Sequence, residues 1–214
     1  MKKILIIGSS GLLGKYLYSY LIKKKKIITK KFVRNSKRNF FSKKFCNDFF
    51  KENNFDIIIY LSAITDIDKC QKNKKKAYKV NYVLLKNVVK YSSFYNKKTY
   101  FIFTSTDQFY DKYKSNNISK NKIYNYYAKT KLLSENLLIK KNSCILRTNF
   151  FGKSKTKNRN SFTDFIYKNL KSKKKIYLAH DWLFSPIYIN NLFKIIYLLC
   201  KKNIVGKFNI GSKK

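Results

Sequence analysis

The stretch that decides the fold is Lys3-Ile4-Leu5-Ile6-Ile7-Gly8-Ser9-Ser10-Gly11-Leu12-Leu13-Gly14, close to the amino terminus. Residues 3–7 form a short apolar run, which is typical of a buried strand. Residues 12–22 carry apolar side chains at helical spacing. Three of the six glycines in the chain stand between or within these segments. The pattern predicts a strand, a tight turn and a helix.

The positions of Gly8, Gly11 and Gly14 indicate what this turn binds. A tight strand-to-helix turn needs the backbone freedom of glycine. Without side chains, the backbone can approach a pyrophosphate, and the helix N-terminus offers unpaired N–H groups. The sequence therefore predicts a dinucleotide-binding turn. The spacing Gly-x-x-Gly-x-x-Gly differs from the general Gly-x-Gly-x-x-Gly fingerprint and resembles that of short-chain dehydrogenases, particularly the extended ones.

The chain then alternates between strand and helix patterns. Strands are predicted at 27–33, 57–61, 100–104 and 144–147, and long helices at 77–94 and 126–139. This alternation indicates a parallel sheet covered on both faces. The predicted fold class is α/β, a Rossmann-type doubly wound parallel sheet, with a dinucleotide-binding domain at residues 1–150.

The pattern loosens after Gly152. Helices are predicted at 162–170 and 189–200, and strands at 175–179 and 208–210. We interpret residues 151–214 as a mixed segment, which holds late Rossmann elements and a small, truncated C-terminal substrate region.

Composition restricts the class of protein. The chain has 214 residues, 44% of them hydrophobic, so one folded domain is expected. No apolar run approaches the roughly 18 residues of a membrane span. The apolar stretch after Met1 ends at Gly8 without a signal-peptide cleavage site. We expect a cytoplasmic protein without a membrane partner.

Metal binding is not expected. The four cysteines are scattered, no Cys-x-x-Cys pair exists, and His180 is the single histidine. We predict reduced, mostly buried thiols and interpret His180 as a loop residue rather than a general base.

The net charge of +39 allows two interpretations. Basic patches are the electrostatic footprint of nucleic-acid binding. However, the lysines are spread along the whole chain, and the abundance of Lys, Asn, Ile, Phe and Tyr is what an AT-rich coding sequence produces. Nucleic acid is therefore not the expected partner, although a cationic surface favours anionic ligands such as nucleotides.

The residue that reads the adenine ribose is expected about 20 residues after the glycines, at the end of the second strand. Arg34 stands there, and no acid lies between Ile27 and Asn47. An acid would bind the ribose hydroxyls of NAD, whereas an arginine suits the 2′-phosphate of NADP. The sequence favours NADP and leaves NAD open.

Tyr127 and Lys131 form a Tyr-x-x-x-Lys pair, and residues four apart share one helix face. A nearby ammonium favours the phenolate, so we expect Lys131 to bring the pKa of Tyr127 closer to neutral. Thr106 ends the preceding strand, at the sheet edge where such folds carry their sites. Its hydroxyl could bind a substrate carbonyl that Tyr127 protonates.

The spacing alone is weak evidence, since five other pairs share it. They are Tyr20/Lys24, Tyr82/Lys86, Tyr110/Lys114, Tyr167/Lys171 and Tyr197/Lys201. None of these follows a strand end at a similar interval, so position selects Tyr127 and Lys131.

Five segments resemble the dTDP-4-dehydrorhamnose reductases, an extended short-chain dehydrogenase family. Residues 103–111 (FTSTDQFYD) resemble their catalytic strand and 127–135 (YAKTKLLSE) their catalytic helix. The third-strand loop, the fifth strand and the loop entering the sugar region are matched by 61–69 (LSAITDIDK), 145–148 (ILRT) and 181–186 (DWLFSP). Six of the ten acidic residues lie in these segments, although acids are scarce in the chain.

The resemblance implies hydride transfer to the 4-keto carbon of a nucleotide-activated deoxysugar. Tyr127 would deliver the proton, Lys131 would bind the nicotinamide ribose, and Thr106 would orient the carbonyl. The expected cofactor-binding residues are Gly8, Ser10, Gly11, Leu12, Leu13, Gly14, Arg34, Leu61, Ser62, Ala63, Tyr127 and Lys131. The nucleotide sugar is the expected partner, and a homodimer is left open.

Two alternative functions stay open, and so does the role of Asn81. Gln108 stands where related dehydratases carry a catalytic glutamate, which argues against dehydratase chemistry. An epimerase on the same fold is one alternative, and a truncated cofactor-binding protein without turnover is another. Asn81 either helps to place the catalytic lysine, as a matching asparagine does in related enzymes, or is a surface helix residue.

Overall fold

A sheet of six strands forms the centre of the protein in a computed structural model, which describes residues 1–33, 35, 39–110, 123, 125–155, 161–177 and 185–212. The strands are β1 (Lys2–Ile7), β2 (Ile27–Phe32), β3 (Ile57–Tyr60), β4 (Tyr100–Thr104), β5 (Ser143–Thr148) and, after two short strands, β8 (Gly206–Ile210). The two short strands, β6 (Phe150–Phe151) and β7 (Ile187–Tyr188), pair with each other in parallel.

The strand order is β2-β1-β3-β4-β5-β8, and every neighbouring pair is parallel. The order reverses direction between β1 and β3. In open parallel sheets, a crevice forms outside the carboxyl ends of the strands at such a switch point. Gly8 follows β1 and Leu61 follows β3, so these two residues mark where a ligand crevice is expected.

Eight helices lie in the part of the chain that the structure describes. They are α1 (Leu12–Leu21), α2 (Lys43–Glu52), α3 (Ile67–Lys72), α4 (Lys74–Tyr78), α5 (Leu84–Tyr95), α6 (Tyr126–Leu138), α7 (Phe162–Lys171) and α8 (Ile189–Lys202). Of these, α1, α2, α5 and α8 supply most of the helical residues packed on the sheet. A π-helical turn, Lys79–Val83, joins α4 to α5.

The core has two layers, one on each face of the sheet. Successive residues of a strand point to opposite faces. In β1, Ile4 and Ile6 therefore pack towards α1 and α8, while Leu5 and Ile7 pack towards α2 and α5. Because both faces are covered, residues 4–7 are all buried, which explains why this strand is a continuous apolar run.

The α/β parallel-sheet prediction is confirmed, and three local predictions need correction. Helix α2 lies in a region to which the sequence analysis assigned no element. The helix predicted at 77–94 is divided by the π-helical turn. The strand predicted at 175–179 is absent over 175–177, and 178–179 lie outside the described residues.

All four cysteines are buried free thiols, as predicted. None of the described helices has the length and apolar character needed to cross a membrane.

Leu17 is the core residue whose truncation tests this packing most directly. Its side chain is fully buried in the layer between α1 and the sheet. Leu17→Ala should lower the free energy of unfolding by about 2–5 kcal/mol, since apolar contacts are lost and a cavity is left. Urea denaturation followed by circular dichroism measures this. Ser19→Ala, on the exposed side of the same helix, should change it by at most about 0.5 kcal/mol; equal losses in the two variants would contradict this packing.

Candidate active site

The turn between β1 and α1 brings three parts of the backbone unusually close together. Gly8 has φ of +93°, and a Cβ there would lie 2.7 Å from the amide nitrogen of Ser62. A Cβ on Gly14 would lie 2.2 Å from the carbonyl oxygen of Gly8. No larger residue fits at either place without moving backbone atoms. The predicted glycine turn is therefore built around contacts that only glycine permits.

The first turn of α1 is open to an anionic ligand. Gly11 is the N-cap residue and donates no side-chain cap, and no acid lies in the first helical turn. The first N–H groups of a helix lack internal partners, and the helix dipole adds partial positive charge there. The glycine cradle and the uncapped helix end together fit the pyrophosphate of a dinucleotide.

A cleft of about 430 Å³ lies over the switch point. It brings together every predicted site residue that the structure describes: Gly8, Ser10, Gly11, Leu12, Leu13, Gly14, Leu61, Ser62, Ala63, Thr106, Tyr127 and Lys131. The glycine turn forms one wall, and the end of β4 with α6 forms the other. Arg34 lies outside the described residues, as do His180 and the 181–184 part of the predicted sugar-region loop.

Helix α6 supplies the Tyr-x-x-x-Lys pair. The Asn125 side chain caps the helix by accepting from the Ala128 amide at 2.7 Å. One turn later, Lys131 Nζ donates to the Thr104 carbonyl at 2.6 Å and lies 4.3 Å from the centre of the Phe103 ring. Burial lowers the pKa of Lys131 to about 7, and Glu135 partly opposes this shift. The amine is therefore close to its titration point at neutral pH.

Tyr127 lies at the same wall of the cleft, but its pKa is shifted in the direction opposite to the one expected. Burial raises the pKa of its phenol, interactions with the ionisable groups of Cys70 and Asp107 add to this rise, and an interaction with the Thr106 side chain opposes it. The expected lowering of the Tyr127 pKa by Lys131 is not found, because desolvation disfavours the phenolate more strongly. Tyr127 therefore keeps its proton at neutral pH.

Asn81 is buried within the π-helical turn, so its interpretation as a surface residue is wrong. Its Oδ1 accepts from the Ile64 amide at 2.8 Å, and its Nδ2 donates to the Ile64 carbonyl at 3.1 Å and to Thr130 Oγ1 at 3.0 Å. Asn81 thus ties the loop after β3 to the residue that precedes Lys131. Single π-helical turns are frequent at functional sites.

Sequence reasoning did not assign several residues that line the cleft. Asp107 and Gln108 follow the catalytic strand end, which is the signal that could have indicated them. Burial raises the pKa of Asp107, and a hydrogen bond with Asn149 opposes the shift. Phe150, Phe151 and Phe162 also line the cleft, and no local pattern predicts this. The described residues contain no group of three or more His, Cys, Asp or Glu side chains able to hold a metal ion.

Comparison with known proteins places this site in a family. A sequence profile described as the RmlD substrate binding domain matches residues 1–212. Curated proteins give no significant match.

Three solved structures illustrate the similarity. A hypothetical dTDP-4-dehydrorhamnose reductase from Sulfolobus tokodaii is 28% identical, with a TM-score of 0.81 over 99% of this chain and 77% of that chain. The dTDP-4-dehydrorhamnose reductase of Clostridium acetobutylicum is 25% identical, with a TM-score of 0.85 over 99% and 75%. The Bacillus anthracis enzyme, in complex with NADP, is 22% identical, with a TM-score of 0.84 over 100% and 75%. The profile match extends over nearly the whole chain, and the protein therefore belongs to the RmlD substrate binding domain family, as its resemblance to the dTDP-4-dehydrorhamnose reductases predicts.

Proposed function

We propose that this protein is an NADPH-dependent reductase of a nucleotide-activated 4-keto-6-deoxysugar. One observation carries the proposal: Thr106, Tyr127 and Lys131 share a single cleft with the glycine turn. Each group has a task in carbonyl reduction, and all three line the same cleft. The substrate class follows from the family and from the names of the similar structures, which are dTDP-4-dehydrorhamnose reductases.

NADP is the cofactor we propose, with NAD as the alternative. The glycine cradle and the open end of α1 fit the pyrophosphate that both cofactors carry. The complex of the Bacillus anthracis enzyme with NADP supports the phosphorylated form. Arg34, directly beyond β2, is the residue we assign to the 2′-phosphate, because a guanidinium binds phosphate oxygens through paired hydrogen bonds.

The chain's own residues would orient the substrate carbonyl and supply a proton. When bound, the nicotinamide would supply the hydride for the carbonyl carbon. Thr106 would donate a hydrogen bond to the carbonyl oxygen, and Tyr127 would pass its proton to that oxygen as the carbon is reduced. The phenol of Tyr127 is protonated at neutral pH, as a proton donor must be before the reaction. Lys131 would bind the nicotinamide ribose and attract the phenolate that remains.

Residues 1–150 would then form the dinucleotide-binding domain and residues 151–214 a mixed segment. Two features support this division. Helix α8 and strand β8 of the second segment extend the sheet layers. Phe151, Ser154 and Phe162 of the same segment line the cleft beside the candidate catalytic groups, where a sugar would lie.

Tyr127→Phe is the variant that tests the proton donor. Purified protein should oxidise NADPH in the presence of dTDP-4-dehydrorhamnose, as followed by absorbance at the reduced nicotinamide band. Loss of the phenol proton should lower kcat by about 10²–10⁴-fold while NADPH still binds. Tyr20→Phe is the matched control, because Tyr20 has the same spacing to a lysine but packs against Phe193 and Tyr197, away from the cleft.

The outcomes separate the alternatives. Full activity in Tyr127→Phe would refute the mechanism. Cofactor binding without reduction of any keto sugar would favour the protein without turnover. Interconversion of sugar epimers without net NADPH consumption would favour the epimerase. Salt-sensitive DNA binding without cofactor binding would overturn the whole assignment.

Arg34→Ala tests the choice of cofactor. Removal of a charged partner of the 2′-phosphate should weaken NADPH binding by about tenfold or more. NADH lacks that phosphate and serves as the control ligand, so its affinity should stay unchanged. Calorimetric titration of both cofactors measures the two affinities. Equal effects on NADPH and NADH would show that Arg34 does not read the 2′-phosphate.

A further inference from the structure

Three successive residues at the end of β4 each contact a different turn of α6. The Thr104 carbonyl accepts from Lys131 Nζ at 2.6 Å, and Ser105 Oγ donates to Glu135 Oε1 at 2.6 Å. Thr106 lies close enough to Tyr127 to oppose the rise of its pKa on burial. Residues 127, 131 and 135 are four apart and share one face of the helix. The outer two contacts involve the candidate catalytic groups, and the Ser105–Glu135 contact lies directly between them along the strand.

Glu135 is fully buried and is paired with Arg147, which is also buried. Arg147 of β5 donates from Nε to Glu135 Oε1 at 3.0 Å and to Oε2 at 3.2 Å, and from Nη2 to Oε2 at 2.6 Å. Lys207 Nζ of β8 lies 3.9 Å from Glu135 Oε2. A buried charge is tolerated only with such partners, and a bidentate arginine also fixes the orientation of the carboxylate.

Arg147 is itself held in place from the opposite side. Its Nη1 donates to the Tyr110 hydroxyl at 2.9 Å, and its guanidinium lies 5.1 Å from the centre of the Phe109 ring. The Tyr110 hydroxyl donates onward to Asn209 of β8 at 3.0 Å. Glu135 therefore joins α6 to three strands, β4, β5 and β8.

We propose that Glu135 is a positioning residue, which acts through Ser105 and Arg147 to hold α6 in the register that places Lys131 on Thr104 and Tyr127 beside Thr106. The proposal rests on the reductase function, since it assigns Glu135 a task in building that site. Glu135 does not line the cleft, so its effect must pass through the residues that it holds. Its charge has a second effect, because it is the anion one helical turn from the buried amine of Lys131.

The charge of Glu135 favours the protonated form of Lys131. Burial lowers the pKa of Lys131 to about 7, and Glu135 raises it. The other charged or titratable groups around this amine and its neighbours lie on α3, α6, the residues after β4, β5 and β8: Cys70, Tyr127, Asp107, Tyr110, Arg147 and Lys207. Loss of the Glu135 charge would also leave Arg147 as an unneutralised cation near Lys131. Both changes disfavour the lysine ammonium.

Glu135→Gln tests the charge through cofactor binding, without turnover. NADPH affinity, measured by the fluorescence of the bound nicotinamide from about pH 5 to about pH 9, should fall in the wild type as Lys131 loses its proton. Removal of the carboxylate charge should move the midpoint of this fall to lower pH by about one unit or more. Glu135→Asp, which keeps the charge, should restore the midpoint towards that of the wild type.

Ser105→Ala tests the positioning separately and remains usable if Glu135→Gln does not fold. It removes the hydrogen bond from Ser105 Oγ to Glu135 but leaves the Lys131–Thr104 bond and the Glu135–Arg147 pair in place. The expected result is a fall in kcat of about tenfold, little change in KM, and an unchanged midpoint for NADPH binding. Ser143→Ala is the matched control: Ser143 is also buried and donates to the Leu138 carbonyl at 2.8 Å, at the far end of α6. It should change neither kcat nor the midpoint.

The results distinguish the two proposals. An unshifted midpoint in Glu135→Gln would overturn the charge effect on Lys131, and equal kcat values for Ser105→Ala and Ser143→Ala would overturn the positioning role; either result would leave the reductase intact. NADPH binding with the predicted shift but no sugar reduction would sustain the charge effect on Lys131 and refute the reductase. Absence of NADPH binding in the wild type would overturn both.

Discussion

The approach of α1 to the carboxyl ends of β1 and β3 is the constraint on which the rest of the site depends. A side chain on Gly14 would meet the Gly8 carbonyl, and one on Gly8 would meet the backbone at Ser62. With both absent, the first turn of α1 lies directly over the switch point of the sheet. The unpaired N–H groups of the helix then face the cleft from one side, and the loop after β3 passes close behind them.

Burial sets the direction of the pKa shifts at the opposite wall of the cleft, where Tyr127 and Lys131 lie. Removal from water disfavours the charged form of any group, so the same cause raises the pKa of Tyr127 and lowers that of Lys131. The phenol therefore keeps its proton at neutral pH, and the amine stays close to its titration point. A simple expectation from the pair alone, that the ammonium makes the tyrosine more acidic, fails because it leaves out desolvation. The local carboxylate, Glu135, then works against burial at Lys131, and Thr106 works against it at Tyr127.

Prediction from sequence succeeded where the signal was local and strong. The parallel strands are buried on both faces, so β1, β3 and β4 are continuous apolar runs that no other element explains as well. Helix α2 was missed although its apolar residues Phe45, Cys46, Phe49 and Phe50 recur at helical spacing behind the N-cap residue Ser42. The apolar residues near 176 resemble a strand, but a strand requires a partner, and residues 175–177 have none in the sheet. The Tyr20/Lys24 pair, which has the same spacing, shows the same limit. Lys24 Nζ lies 4.3 Å from the centre of the Tyr20 ring. The pair lies beside the start of β2 and not at the carboxyl end of a strand, where such sites form.

The sequence by itself determined the glycine turn, the alternation of strand and helix, and the choice of Tyr127 and Lys131 over five pairs of equal spacing. These depend on residues within a few positions of one another, or on the order of elements along the chain. Only the tertiary structure decided that Asn81 is buried, that Phe162 lines the cleft, and that Glu135 meets Ser105, Arg147 and Lys207. It also decided the direction of both pKa shifts. The physical reason is the same in each case. Burial and long-range contacts arise when distant parts of the chain meet, and no local sequence pattern indicates which parts will meet.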